Sequence, residues 1–599
     1  MTASTVAIRP TPLRSKTVAD VPRFTALTAA GIVLLVVVGG FLRLHNLDQK
    51  SVSHVEMYVP GIRLPHGISV PEERLTLLKV VTSTLNSDTH PPAFYVLMWG
   101  WTKVFGTSAR SIRLPAALCG IACIPLVFWL GVLTRQTTAG WIAAALLAIN
   151  GHQIFWSQVA RMFTPACLLG LMATVLLLEI ARQRRGSRWL RFAYVAVLLL
   201  GVSTHIFFWL ILGCHLLWTT ASAWREREPM PGVLRLQFVA AILGSPLLAF
   251  SAYQNGNTLA TLSSNSLIYA REFLQFSFSF PLLGYSSGVF GDYGRIPDIS
   301  DPHLSLPRCL FFLLSLALFV AGCGALRGSQ KTIAGDASGP SAKTWLWAAA
   351  LGTFAIVAFI WAAKTFAQPN PTLRVTERMT ILPVLLAVAA ILVQRNWSRL
   401  SSWSSFLLRG RLLVGDRALV LMLAIVPFLL LALLSCFKPI LNARGMLLLA
   451  PYLLLVLSAG IARLGRHFIV LAAILLLVGA ANYSGLRDYR EMSAGRADYK
   501  SLAAALLPQL QPTDLVFIHP EFYSTPLFFY MNSNGDRVVA RNYDATCRDQ
   551  PQVRVWALWF THYEPSLSSS MQDCLATYRP VRTIQAEGGK AILYIPGQK

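Results

Sequence analysis

The stretch Leu42-Arg43-Leu44-His45-Asn46-Leu47 and its continuation Ser51-Val52-Ser53-His54-Val55-Glu56-Met57-Tyr58 decide the fold. The first long apolar run of the chain ends here. An imidazole, His54, and a carboxylate, Glu56, follow directly. Polar chemistry gathered just past a membrane-spanning helix, in an otherwise apolar chain, indicates a lipid-linked substrate that is approached at one membrane face.

The composition around this stretch is that of a membrane protein. Of 599 residues, 54% are hydrophobic and only 13% are charged, whereas soluble domains carry about 25% charged residues. Many apolar runs reach about 17–22 residues, which is enough to cross a hydrocarbon layer of about 30 Å. The sequence therefore predicts an α-helical polytopic membrane protein and argues against a soluble multidomain protein.

The formal charge of +25 does not indicate a nucleic-acid partner. Lysines and arginines cluster in short loops between apolar runs, as the positive-inside rule expects of cytoplasmic loops. Residues 1–24 form a basic cytoplasmic tail in this interpretation. The first run continues into Phe41-Leu42-Arg43 without a small-residue cleavage site, so it is a retained span and not a signal peptide.

The apolar runs predict about thirteen spans in a membrane domain of residues 25–483. They are 25–44, 112–133, 139–155, 163–181, two within 189–224 that turn near Ser203-Thr204-His205, 233–252, 307–326, 344–363, 379–394, 418–435, 445–462 and 467–482. Two long outer loops are expected at 45–111 and 253–305. The first loop includes an interfacial helix within 91–105, with Trp99 and Trp101 at headgroup depth.

The remaining residues, 484–599, are predicted to form a small α/β domain outside the cytoplasm. Residues 500–510 have helical periodicity, and 514–518, 554–560 and 591–595 have strand-like patterns. Cys547 and Cys574 stand alone in this polar region and are expected to form a disulfide if it lies outside the cytoplasm.

The order of the motifs resembles the C-type (GT-C) integral-membrane glycosyltransferases. The resemblance is to the branch that contains protein O-mannosyltransferases and the aminoarabinose transferase of lipid A. It lies in Glu56 just after the first span, His90-Pro91-Pro92, the run 113–118 (Arg-Leu-Pro-Ala-Ala-Leu), the run 157–163 (Ser-Gln-Val-Ala-Arg-Met-Phe) and, more weakly, 438–451. It implies transfer of a sugar from a polyprenyl-phosphate donor, about thirteen spans and a soluble tail.

Two positions depart from the family pattern. The family usually has Asp-Glu after the first span, acids that act as catalytic base or as sugar and metal ligands, and this chain has Val55-Glu56. Gly445 also stands where the family has Tyr. Either His54 compensates for the missing Asp, or the chain is an inactive relative.

The leaving group of such a transfer is a lipid phosphate, which is stable as an anion. Fixed positive charge where negative charge develops is therefore what helps, and arginine grips phosphate with two donors. Arg444 and Lys438 near the twelfth span are the first candidates. Further substrate-binding candidates are Arg161, Gln158, His205, Arg374 and Arg378.

The acceptor hydroxyl needs a base, and Glu56 is the predicted one because a carboxylate near a low-dielectric boundary suits that task. His54 is expected to position Glu56, bind sugar or ligate a metal. His90, before two prolines, is expected to face the same cavity. A divalent metal on His54, Glu56 and His90 is an alternative without support from short ligand spacing, and no cofactor is otherwise predicted.

The predicted function is thus an inverting glycosyltransferase at the outer face of a bacterial plasma (inner) membrane. Its acceptor would be an envelope glycan, a lipid or a protein. The alternatives are a lipid-linked saccharide transporter or flippase, and an O-antigen ligase-like enzyme. A transporter would carry ionisable residues near mid-span and symmetric halves, and neither pattern is evident in the sequence.

The topology makes a direct prediction. Single cysteines introduced into residues 484–599 should react with a membrane-impermeant thiol reagent from outside the cell. Cysteines introduced into residues 1–24 should react only after the membrane is permeabilised. Labelling of 484–599 only after permeabilisation would contradict the predicted orientation.

Overall fold

The computed structural model of the protein describes residues 25–62, 76–87, 90–183, 187–226, 232–259, 302–327, 415–435, 445–465, 468–491, 498–519, 524–531, 553–560, 566–567 and 569–597. Within these ranges the chain is mostly helical. The helices are α1 Ala26–Leu44, α2 Leu77–Ser87, α3 Ala93–Phe105, α4 Ala109–Leu133, α5 Thr137–Ile149, α6 Gly151–Ser157, α7 Phe163–Arg182, α8 Arg188–Val202, α9 Phe208–Glu226, α10 Gly232–Leu259, α11 Pro302–Arg327, α12 Asp416–Ser435, α13 Ala450–Leu464, α14 Phe468–Glu491, α15 Tyr499–Leu506, α16 Ser524–Met531 and α17 Ser569–Leu575.

The predicted helical membrane fold is confirmed. Four helices are long and apolar enough to cross a membrane, and four shorter apolar helices accompany them in the described part of the chain. A helix of 13 residues, α3, lies where an interfacial helix is predicted, and its position at the interface stays a prediction. The predicted spans 344–363 and 379–394 lie outside the described residues, and so does most of the predicted loop 253–305.

The third predicted span, 139–155, is wrong as a single helix. The chain leaves helical geometry at Asn150, whose φ and ψ are −67° and 116°. The Asn150 side chain accepts a hydrogen bond from the Gln153 backbone at 3.1 Å and so begins α6. An N-cap inside an apolar run is hard to detect, because the hydrophobic pattern continues across it. Two short helices therefore replace one span.

Small residues bring the helices of the bundle close together. A Cβ atom at Gly131 of α4 would collide with the Gly140 backbone of α5. A Cβ atom at Gly322 of α11 would collide with the Val456 carbonyl of α13, and one at Gly460 of α13 with the Leu318 carbonyl. Such close backbone approach is how helices associate in lipid, where the solvent supplies no hydrophobic driving force.

A polar network crosses the interior of the bundle. The Thr174 hydroxyl lies 2.8 Å from the Tyr452 hydroxyl and 3.1 Å from His215 Nε2. Tyr194 lies 3.0 Å from His215 Nδ1 and accepts a hydrogen bond from Gln237. Hydrogen bonds between helices are worth about 0.6–2 kcal/mol each in a membrane. The network therefore ties α7, α8, α9, α10 and α13 together.

The predicted C-terminal α/β fold is confirmed as a four-stranded sheet in the order β1-β2-β4-β3. Its strands are β1 Leu515–His519, β2 Val555–Trp559, β3 Tyr578–Ala586 and β4 Gly589–Pro596. β1 and β2 are parallel, while β4 is antiparallel to both β2 and β3. Helices α15 and α16 pack on one face of the sheet, and α17 packs on the other.

One strand and one helix were not fully anticipated. The sequence did not predict β3, because most of its side chains are exposed and its outer residues show no apolar alternation. The helix expected at 500–510 ends at Leu506 and continues as a 3-10 turn, Leu507–Gln509. Cys574 is disulfide-bonded, and Cys547 lies outside the described residues.

The C-terminal domain contacts the first outer loop through specific hydrogen bonds. The Ser51 hydroxyl donates to the Asp498 carboxylate at 3.0 Å and accepts from the Lys500 backbone at 3.1 Å. The Val52 backbone N–H donates to the Tyr530 hydroxyl at 2.8 Å. Burial raises the pKa of Tyr530 to about 12, so this phenol stays protonated at neutral pH.

Asp498 makes this junction sensitive to pH. Burial disfavours its charge, but the hydrogen bonds from Ser501 and Ser51 and the charge of Lys500 outweigh burial and lower its pKa. A carboxylate whose folded pKa lies below its ordinary value of about 3.9 stabilises the folded state above that value. The stabilisation is lost as the pH falls through the folded pKa.

We therefore predict that hydrogen exchange in Tyr499–Leu506, corrected for intrinsic rates, accelerates as the pH falls from 5 to 3. Asp498→Asn should still cap α15, because asparagine is a good N-cap, but it should lose most of this pH dependence. Asp573→Asn, at an exposed position, is the matched control. Equal pH dependence in all three proteins would contradict the role of Asp498.

Candidate functional site

The candidate site begins at the 3-10 helix His54–Tyr58 in the first outer loop. Ser53 precedes it, and the Ser53 backbone N–H and hydroxyl both donate to the Glu56 carboxylate, at 2.9 and 3.0 Å. The Glu56 backbone N–H donates to the Ser53 carbonyl. The side chain of each residue also meets the backbone of the other in a capping box, which fixes the start of a helix. It turns the Glu56 side chain inward.

Glu56 lies in a fully buried ion pair with Arg113 of α4. Arg113 Nε donates to Oε1 at 2.8 Å and Nη2 donates to Oε2 at 2.9 Å, with 1% and 0% of the two side chains exposed. The Ala160 backbone N–H adds a bond to Oε1 at 3.0 Å. Five hydrogen-bond donors therefore converge on this carboxylate. Their bonds offset the free-energy cost of removing the carboxylate charge from water.

Arg113 also organises the loop that leads to Glu56. Its Nη1 group donates to the carbonyls of Leu47 and Lys50 at 2.8 and 2.9 Å, and Nη2 donates to the Ser51 carbonyl at 3.0 Å. Together with the two bonds to Glu56, these contacts use all five N–H donors of the guanidinium. One cation at the start of α4 thus holds residues 47–56 in place.

Arg161 lies beside this pair, one residue after Ala160, and is 7% exposed. Its Nη1 donates to the Tyr95 hydroxyl at 2.8 Å and to the Val55 carbonyl at 3.3 Å. Its guanidinium carbon is 5.7 Å from the Tyr58 ring and 5.9 Å from the Tyr95 ring. The two rings therefore flank a permanent cation at the end of the bundle that carries Glu56.

His54, the first residue of the 3-10 helix, is partly exposed. Its Nδ1 lies 3.2 Å from the hydroxyl of Thr525, which belongs to α16 of the C-terminal domain. Its Nε2 lies 3.4 Å from the Tyr58 hydroxyl. The imidazole is thus oriented by two hydroxyl groups, one of them from the C-terminal domain.

His90 and His205 come together, although 115 positions separate them in the sequence. Their rings are stacked with centroids 5.4 Å apart, and both rings contact Phe163 at the start of α7. The Ala93 backbone N–H donates to the Ser203 carbonyl at 2.9 Å, which fixes the start of α3 against the turn between α8 and α9. Both imidazoles therefore border the segment that also contains Ala160 and Arg161.

Gln158 faces the end of the first span. Its Nε2 donates to the carbonyls of Leu42, Arg43 and His45 at 3.0–3.3 Å. These carbonyls are among those that a helix C-terminus leaves without intrahelical partners. The contacts therefore place Gln158 as a cap of α1, and the predicted role in substrate binding stays a prediction.

Four predicted substrate-binding residues, Lys438, Arg444, Arg374 and Arg378, lie outside the described residues. The described chain resumes at the 3-10 helix Gly445–Leu448, directly after Arg444. Leu447 of that helix is fully buried in the same apolar cluster as Met57 and Phe163.

The site also contains residues that sequence reasoning did not rank. Arg113 and Thr525 are the main ones. The sequence indicates a special role only for Arg113, because Arg113 is a cation inside the apolar run of the predicted span 112–133. Within the described ranges, no three His, Cys, Asp or Glu side chains lie close enough together to hold a metal ion. His90 and His205 lie together, but they make a group of two such side chains and not three.

Comparison with known families supports the resemblance in one part of the chain. Residues 89–250 match the family model of dolichyl-phosphate-mannose-protein mannosyltransferase. The matched segment contains His90, Arg113, Gln158, Arg161 and His205, and it excludes Glu56 and the C-terminal domain. No curated protein sequence matches the chain.

Two solved structures align with most of this chain at low similarity. ArnT from Cupriavidus metallidurans, bound to undecaprenyl phosphate, is 13% identical with a TM-score of 0.41, over 94% of this chain and 98% of ArnT. AglB from Archaeoglobus fulgidus is an archaeal oligosaccharyltransferase in complex with an inhibitory peptide and a dolichol-phosphate. It is 13% identical with a TM-score of 0.42, over 95% of this chain and 74% of AglB. At this level of similarity, neither structure assigns a role to a residue of this chain.

We predict that Arg113→Met lowers the free energy of unfolding by about 3–5 kcal/mol, because it leaves a buried carboxylate without its cation. Glu56→Met combined with Arg113→Met should recover part of this loss. Thermal unfolding in detergent measures both effects. Arg110→Met, at an exposed position of the same helix, is the control and should unfold like the wild type. An Arg113→Met variant as stable as this control would contradict the role of the ion pair.

Proposed function

We propose that this protein is an inverting glycosyltransferase that moves a sugar, a hexose or a pentose, from a polyprenyl-phosphate donor to an acceptor hydroxyl. The observation that carries the proposal is the position of Arg161, His54, His90 and His205 at one end of an apolar helix bundle. A site for a lipid-linked phosphate needs cations and hydrogen-bonding groups at the membrane boundary, where they bind the phosphate. It also needs apolar helices beside them, which the lipid chain can contact. The match of residues 89–250 to a mannosyltransferase family supports the same chemistry.

The donor phosphate is bound by cations in this proposal. Arg161 is the described candidate, because it lies between two aromatic rings and close to the 3-10 helix. Arg444 and Lys438, which lie outside the described residues, are the further candidates. Arg374 and Arg378 remain second candidates. Arginine suits the task because its planar guanidinium donates two parallel hydrogen bonds to a phosphate.

The proton acceptor in this proposal is His54, and Glu56 is a positioning residue. A general base must approach the acceptor hydroxyl within about 2.6–3.2 Å. The Glu56 side chain is 0% exposed and receives five hydrogen bonds from protein groups. His54 is partly exposed and lies two residues away. An imidazole there would compensate for Val55, which stands where related enzymes carry Asp.

The proposed step is a single displacement. The acceptor oxygen forms a bond to the anomeric carbon from the face opposite the lipid phosphate. The bond from that carbon to the phosphate oxygen breaks, and its electron pair leaves with the polyprenyl phosphate. The hydroxyl proton passes to His54, while arginine stabilises the leaving anion. His90 and His205 border the sugar, and His205 Nδ1 already accepts a bond from the Phe207 backbone.

We place the reaction at the outer face of a bacterial plasma membrane. The loop that carries His54 and the C-terminal domain lie together, and the described Arg182 and Arg417 lie at the other helix ends. The acceptor would therefore be an envelope glycan, a lipid or a protein outside the cytoplasm, and membrane lipids surround the bundle. A divalent metal would have to draw on ligands beyond the imidazole pair.

The test uses the purified full-length protein in proteoliposomes with a panel of radiolabelled polyprenyl-phosphate sugars and a cell-envelope extract. We predict transfer of one sugar by the wild type and a loss of about 10²–10⁴-fold in His54→Ala, the range usual for removal of a general base. His45→Ala, an exposed histidine of the same loop, should keep wild-type turnover.

Two further variants separate the roles. Glu56→Gln should lower turnover and thermal stability together. The amide NH₂ group of glutamine cannot accept the hydrogen bonds that the carboxylate oxygen accepts, so buried donors would lose their acceptor. A stable Glu56→Gln protein without turnover would instead make Glu56 the base. Transfer from no donor in the panel, by a folded wild-type protein, would contradict the proposed function.

A further inference from the structure

A second polar cluster lies at the end of the bundle away from the candidate site. Helix α4 begins beside Glu56, and its 21 residues from Arg113 to Leu133 span roughly 30 Å. Helix α7 runs in the same direction from Phe163 to Arg182. The ends of α4 and α7 therefore meet at the opposite membrane face, where α12 begins with Asp416 and Arg417. Neither the candidate site nor the proposed reaction uses this cluster.

The turn after α4 has an arginine, Arg135, at a backbone position that glycine usually occupies. The Arg135 N–H donates to the Val132 carbonyl at 3.0 Å, and the Gln136 N–H donates to the Gly131 carbonyl at 2.8 Å. This is a Schellman motif, in which the left-handed position is usually glycine. Arg135 occupies that position with a φ of 56°. A strained non-glycine residue of this kind is a reason to look for a function of its side chain.

Two other arginines cap the same turn. Arg182 donates to the Leu133 carbonyl. Arg417 Nε donates to the Thr134 carbonyl at 3.0 Å, and its Nη2 donates to the Arg135 carbonyl at 3.4 Å. Three successive carbonyls at a helix C-terminus thus accept from two cations, which also complement the helix dipole. These contacts explain Arg182 and Arg417 but not the side chain of Arg135.

The charges of the cluster do not balance. Asp416 forms a loose ion pair with Arg182 at 3.7 Å. It also interacts electrostatically with Arg135 and Arg417, and these two arginines repel each other. Among the described residues, one carboxylate therefore faces three guanidinium groups. Arg135 is exposed, and its guanidinium has no hydrogen-bond acceptor among the residues that the structure describes.

We propose that Arg135, together with Arg182 and Arg417, binds the phosphate headgroup of an anionic phospholipid in the leaflet opposite the candidate site. The position at the helix ends is headgroup depth for a bundle that spans about 30 Å of hydrocarbon. The excess of two positive charges complements a phosphate diester anion, and basic residues at an anionic membrane surface each strengthen binding by about fivefold. Glycine would remove the backbone strain of this turn, but it would also remove the cation that Arg135 places at headgroup depth.

The test measures lipid binding to the full chain in a neutral detergent by thermal unfolding and native mass spectrometry. The probes are phosphatidylglycerol, phosphatidylcholine with the same acyl chains, and inorganic phosphate. We expect phosphatidylglycerol to raise the unfolding temperature of the wild type and to remain bound in the gas phase. Phosphatidylcholine and inorganic phosphate at the same concentration should do neither.

Arg135→Gly separates binding from folding. Glycine suits a φ of 56°, so the variant should unfold without lipid at the wild-type temperature or above it. Its apparent affinity for phosphatidylglycerol should fall by about fivefold, and Arg135→Lys should retain most of it. Arg188→Gln removes an exposed cation that lies over the Trp189 ring on the next helix, and it should bind like the wild type.

Three results would overturn the proposal. Equal stabilisation by phosphatidylglycerol and phosphatidylcholine would exclude recognition of a charged headgroup. Equal loss of affinity in Arg188→Gln and Arg135→Gly would make the effect one of general surface charge. Full stabilisation by inorganic phosphate would exclude a lipid as the ligand.

Discussion

The buried ion pair between Glu56 and Arg113 is the interaction on which the outer end of this protein depends. It joins two segments that are 57 positions apart in the sequence, and the Ala160 backbone connects it to a third. Two charges removed from water are costly, and only good geometry with further hydrogen bonds compensates for the cost. Here five donors contact the carboxylate and all five guanidinium donors are used, so the loop has one favoured arrangement.

That arrangement determines where the chemically active groups lie. Once residues 47–56 are fixed, the 3-10 helix presents His54 at the boundary between the bundle and the C-terminal domain. Arg161 follows directly from the segment bound to Glu56, and Phe163 then contacts both His90 and His205. The C-terminal domain adds Thr525 to His54 and Tyr530 to Val52. It is therefore a neighbour of the proposed site and not a separate appendage.

The sequence predicted the helical membrane class, a helix within 91–105 and three of the four strands, because apolar periodicity reports burial directly. It also selected His54, His90, Arg161 and His205, which the structure brings to one end of the bundle. It did not rank Arg113, because the importance of that side chain comes from contacts with carbonyls more than sixty positions away. The break at Asn150 and the exposed strand β3 were missed because neither changes the apolar pattern.

The two ends of the bundle use arginine in different ways. At the proposed catalytic end, Arg113 is buried and saturated by protein acceptors. At the opposite end, Arg135 is exposed and held in a strained turn. The most direct test of the central claim is native-state hydrogen exchange of the wild-type protein at the Ser53 and Ala160 amides, which both donate to Glu56. The account predicts that both amides exchange as slowly as the amides of α4. Exchange at the rate of an unstructured loop would contradict it.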